Sequence, residues 1–111
     1  MSELEKLKEE HEDVSHKEFY NAQQMYYLFD EVEKLAGELK GMAGSLTFER
    51  RQKDFLIMDA LISLMNERLS KIYGLYNDTK EKFKIETQID EKIKKLEGEG
   101  KKLKEVKKSD K

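Results

Sequence analysis

Three residue types are missing from the chain altogether: cysteine, proline and tryptophan. Without cysteine there is no disulfide framework, no thiolate metal site, no iron–sulfur cluster and no thiol nucleophile, and redox chemistry does not mark a compartment. Without proline nothing in the covalent chain interrupts a helix. Histidine occurs only at His11 and His16, and arginine only at Arg50, Arg51 and Arg68. The longest apolar stretch, Phe55 to Met65, is broken by Asp59 and Ser63; as a helix it covers about half a bilayer core, so no membrane span is expected. The N-terminus, Met-Ser-Glu-Leu-Glu-Lys, has no apolar run with a cleavage site. No signal peptide is expected there, and the cytoplasm is the default compartment, with signal-less secretion left open.

What is present favours helix. Charged residues make up 41% of the 111 positions and hydrophobic ones 37%, with lysine, glutamate and leucine abundant. Alternating steps of three and four from Leu4 reach Leu7, His11, Val14, Glu18, Asn21, Met25, Leu28, Val32, Leu35, Leu39 and Met42, and the last six of these are all apolar. A second row runs Phe55, Met58, Ile62, Met65, Leu69, Ile72, Tyr76, Thr79 and Phe83. Both rows have the spacing of a helix seam, and no segment alternates with the period of a strand. The predicted fold class is all-α, a long antiparallel helical hairpin.

Glycines mark the turn. Gly41 and Gly44 lie within Lys40-Gly-Met-Ala-Gly-Ser45, where a glycine in the left-handed conformation ends a helix. The turn is expected at 41–45, with helix 1 over 3–40 and helix 2 from 46. Ser45 or Thr47 is the expected cap of helix 2, with Glu49 in its first turn. A break at 74–78 is an open alternative: Gly74 weakens a helix there and Asp78 with Glu81 resembles a capping box, while the row from Leu69 to Phe83 runs through. Ile85, Ile89, Ile93 and Leu96 continue the helical spacing on a shifted face. The domain is expected to end near 97, with 98–111 as a Lys-rich flexible tail.

Two helices alone do not account for the apolar content. Phe19, Tyr20, Tyr26, Tyr27 and Phe29 lie off the helix 1 row, and nine of the eleven residues from 55 to 65 are apolar. A turn near 43 sets these two rich segments at one level, so each needs cover beyond the other. The expected packing is therefore a three-helix bundle, with 79–97 folding back, or a four-helix-bundle homodimer.

Charge is sorted along the chain. Residues 1–33 hold ten acids against three lysines, and residues 80–111 hold twelve lysines against eight acids. Mutual screening of the two ends is the simplest account; recruitment of a partner is the functional one. Nucleic acid is not an expected partner, because the pI is near 5.8 and no nucleic-acid-binding motif is present. No catalytic constellation is present either. His11 and His16 are five apart and face different sides of a helix, and Asp13 with His16 reads as a surface pair. The glycines of Gly37 to Gly44 follow no strand. No enzyme activity, catalytic residue, metal, cofactor or small-molecule substrate is expected.

Met25, Met42, Met58 and Met65 fall on the rows and are expected to fill the core. Phe29 adjoins the row and is expected in the core as well. Phe19, Tyr20, Tyr26 and Tyr27 are the predicted partner-binding residues, since aromatic side chains supply contact area at low entropic cost. The function expected is a non-enzymatic protein–protein interaction module, an adaptor, chaperone or regulator, acting through an aromatic and Met-rich helical face on another protein or on itself. In layout the chain resembles the small helical-hairpin proteins of type VII secretion systems, being similarly short, acidic and free of cysteine, with a glycine-containing turn near its middle, where Met42-Ala-Gly44 stands in place of that family's Trp-x-Gly. That resemblance implies a secretion-associated hairpin or its chaperone as an alternative. A self-assembling structural coiled coil is a further one.

Overall fold

A computed structural model describes the backbone of residues 2–109 and the side chains of residues 2–99. Two long helices pack against each other: α1 (Glu3–Gly44) and α2 (Arg51–Ser109). No strand occurs among the described residues, and the all-α hairpin is as the seam spacing predicts. No third helix folds back, because 79–97 continues α2. The single-chain three-helix bundle is thereby corrected. The residues at 74–78 do not break α2; Gly74 sits in regular helix with nothing within 4 Å of a Cβ placed on it.

The helix ends are built by hydroxyls. Ser2 caps α1, its Oγ accepting the Glu5 amide at 3.1 Å, and Glu3 and Glu5 complement the positive end of the helix dipole. At the other end the expectation fails in detail. α1 continues past residues 41–44, the linker falls at 45–50, and no described glycine has a positive φ. α1 stops at Ser45, whose hydroxyl and amide both donate to the Gly41 carbonyl, at 2.9 and 3.1 Å. Thr47 then caps α2, accepting the Arg50 amide at 3.3 Å. Arg51 stacks on Phe48, 3.6 Å from the ring centre. The helix backbone runs on to Ser109, past the residue 97 limit expected for the domain. The expected tail falls largely outside the described side chains.

The contacts divide into two compact units, residues 21–78 and residues 1–20 with 79–111. In each, every residue of the predicted α1 row, from Leu4 to Met42, is partly or fully buried, and Ser15, Gln24 and Ala36 beside the row are partly buried as well. In α2 the row is shifted. Met58, Met65, Ile72 and Thr79 are shielded as expected, but Leu61, Arg68, Leu75 and Lys82 take the places expected for Ile62, Leu69, Tyr76 and Phe83. The cause lies further along the helix. Glu86, Ile89, Ile93 and Leu96 are also shielded, and they share a 3.5-residue register with Leu61 and Leu75, not with Ile62 and Tyr76. An unbroken helix keeps one register, so the Ile62 row is turned out of the seam.

Candidate functional site

The consequence is best described with heptad letters. With Met25 at a and Leu28 at d in α1, Phe29 is an e residue. With Met58 at a and Leu61 at d in α2, Phe55, Ile62, Leu69 and Tyr76 are all e residues. Antiparallel helices bring e beside e on one side of the seam and g beside g on the other. In the unit of residues 21–78 these two sides differ in chemistry.

On the e side an open groove of about 490 Å³ is lined by Met25, Phe29, Leu69, Ile72, Tyr73 and Tyr76. No charged side chain lines it. Phe29, expected in the core, is about half-exposed here, as are Leu69 and Tyr76. On the g side a smaller groove is lined by Glu31, Lys34, Leu35, Leu64 and Arg68. There Arg68 donates to Glu31 at 2.6 Å and pairs with Glu67 at 3.3 Å, which lets a guanidinium lie at the seam edge with its stem against apolar neighbours. The seam in this unit also carries Asn21, buried to 6% exposure, which donates to the Asp78 carboxylate at 2.7 Å. A buried polar group tied to one partner disfavours shifted pairings, in which it would lose that bond.

The four predicted partner-binding residues are all exposed, between 53% and 72%. Phe19 and Tyr20 belong to one unit and Tyr26 and Tyr27 to the other. The Tyr26 and Tyr27 rings meet edge to face at 5.9 Å, and the Tyr27 hydroxyl accepts from Gln23 at 3.5 Å. Tyr26 is a b residue, on the flank of Phe29; Tyr20 and Tyr27 are c residues, on the opposite flank. Within residues 21–78, helix geometry therefore sets Tyr26 and Tyr27 on different flanks of α1. The groove residues that the sequence row assigned to the core, Phe29, Leu69 and Tyr76, were overlooked as surface. The signal for them was the uncharged heptad series 55, 62, 69, 76.

The unit of residues 1–20 and 79–111 has a different chemistry. Its seam holds Glu18 and Glu86, each with one carboxyl oxygen buried. His11 lies 3.5 Å from the Glu86 carboxylate. Burial, a hydrogen bond to Glu86 and the charge on Glu86 push Glu18 up to about 7. Asp13 and His16 are exposed. Among the described residues, no group of three or more His, Cys, Asp or Glu side chains is arranged to hold a metal ion, and no helix is long and apolar enough to cross a membrane. No protein-family model, curated protein or solved structure matches the chain.

Proposed function

We propose that the protein is a non-enzymatic helical interaction module that works by packing the uncharged e side of residues 21–78 against another helical surface. One observation carries this reading: the groove of Met25, Phe29, Leu69, Ile72, Tyr73 and Tyr76 is open to solvent yet has no charge in its lining. Isolated exposed apolar residues are ordinary on protein surfaces, but a contiguous apolar strip at helical spacing is a binding surface. Its heptad period selects the partner's geometry, since only another helix presents side chains at matching intervals.

The test is association of the full chain with a partner, in parallel with its helix content. Replacing Phe29 and Tyr76 by serine is expected to leave the far-ultraviolet circular dichroism spectrum in place and to weaken association by roughly 1 to 4 kcal/mol. Replacing Tyr20 and Tyr27 by serine tests the outer row of α1 and is expected to weaken association less. Unchanged association in the Phe29 and Tyr76 variant overturns the reading.

A further inference from the structure

The geometry points to the occupant of this face: a second copy of the chain, stacked so that α2 of each copy lies over α1 of the other. The inference rests on the interaction face proposed above and adds its partner and its arrangement.

Size complementarity carries the pairing. On α1 the e residues in residues 21–78 are Ala22, Phe29, Ala36 and Ala43, small at every level but that of Phe29. On α2 the e residues are large: Phe55, Ile62, Leu69 and Tyr76. One copy thus carries, side by side, a ridge and a row that is shallow at its three alanines, and each fits the other at those levels. A two-fold axis running along the helices sets ridge on row twice, which is the isologous contact a closed dimer requires. An axis running across the helices would set ridge on ridge and row on row, leaving gaps along the alanines. The favoured stacking places the two inter-helix linkers at the same end.

Apolar residues at a, d and e are also the pattern of a helix in a bundle, where each helix has two neighbours, whereas a/d alone suffices for a two-helix seam. In the other unit Phe83 is a further apolar e residue, but the e residues there also include Lys8, Asp90 and Glu97, and Lys8 pairs with Glu97 at 3.7 Å, so the apolar series does not run through that unit.

The experiment compares two half-exposed aliphatic side chains on opposite sides of α2. Leu69 is 42% exposed on the e side and Ile57 is 44% exposed on the g side. Sedimentation equilibrium of the wild-type chain is expected to give a dimer. Leu69→Glu is expected to raise the dimer dissociation constant on the order of 100-fold, and Ile57→Glu to leave it within about threefold. Because the chain has no cysteine, a single Ser45→Cys substitution reports on the linkers alone, and a short bis-maleimide is expected to join the two copies. A dimer that Leu69→Glu leaves intact, or one that the reagent fails to join at residue 45, overturns this stacking. A wild-type monomer overturns the dimer. In that case binding of an apolar dye that Leu69→Glu abolishes leaves the interaction face standing, and absence of dye binding removes both readings.

Discussion

Leu61 and Ile62 are adjacent, similar in size and opposite in fate. Leu61 is buried in the seam, whereas Ile62 is 43% exposed on the e side. Truncation to alanine is expected to separate them: Leu61→Ala costs about 2 to 4 kcal/mol in urea unfolding of the chain, and Ile62→Ala costs less than half as much at protein concentrations where the chain is monomeric. Equal losses would show that the seam runs between the two rows. Gly74 gives a change of opposite sign. It lies in regular helix with open space around it, so Gly74→Ala is expected to stabilise the chain by about 0.5 to 1 kcal/mol, read from the shift of the urea midpoint at unchanged m. At this scale the sequence was a partial guide. The α1 row was legible because six apolar residues from Met25 to Met42 follow one another at steps of three and four without a gap. In α2 the stretch from 55 to 65 is apolar on all sides, so Leu61 and Ile62 satisfy the periodicity equally well, and only the distant Ile89 and Leu96 decide between them.

At the scale of elements, the linker shows why boundaries were harder to read than helices. Gly41 and Gly44 permit a left-handed end, but permission is not requirement, and alanine-like helical geometry at both costs less than the hydrogen bonds that stopping early would forfeit. At the start of α2 the boundary is set by a side chain, the Thr47 hydroxyl. Thr47→Ala is accordingly expected to destabilise the chain by about 1 kcal/mol in thermal unfolding, with Thr47→Ser close to wild type. No loss in Thr47→Ala would mean that the Arg51–Phe48 stack, not the cap, holds the start of α2. The candidate face was legible only in part. The aromatic richness of α1 pointed to a surface, and Phe19, Tyr20, Tyr26 and Tyr27 are exposed, but the continuous uncharged strip lies chiefly on α2, among residues whose spacing suited a core equally well.

For the molecule as a whole, pH is the most direct handle. Glu18 titrates near 7 in the folded chain against about 4.3 for an unperturbed glutamate. The folded state therefore holds a proton that the unfolded state has released, and stability is fully present below the unfolded value and is lost as pH rises through 7. Urea midpoints are expected to fall between pH 5 and pH 8 by an amount that Glu18→Gln removes, since the amide keeps the neutral hydrogen-bonding form at every pH. A variant with the same pH slope as wild type would place the titration elsewhere, with Glu86 and His11 the neighbours to examine next.

The single register of α2 bears on how such a sequence can change over generations. Residues 61–75 and 89–96 stay in step because nothing between them interrupts the helix. Gain of one codon between Tyr76 and Ile85 would rotate everything on one side of it by about 100°, bringing Ile62 and Leu69 toward the seam and sending Leu61 and Leu75 toward solvent. The outer strip and the inner seam would trade places without a single substitution. Length variation in this stretch should accordingly be tolerated in whole heptads and purged in single steps, and a library of α2 deletions sorted for folded protein would recover that seven-residue beat.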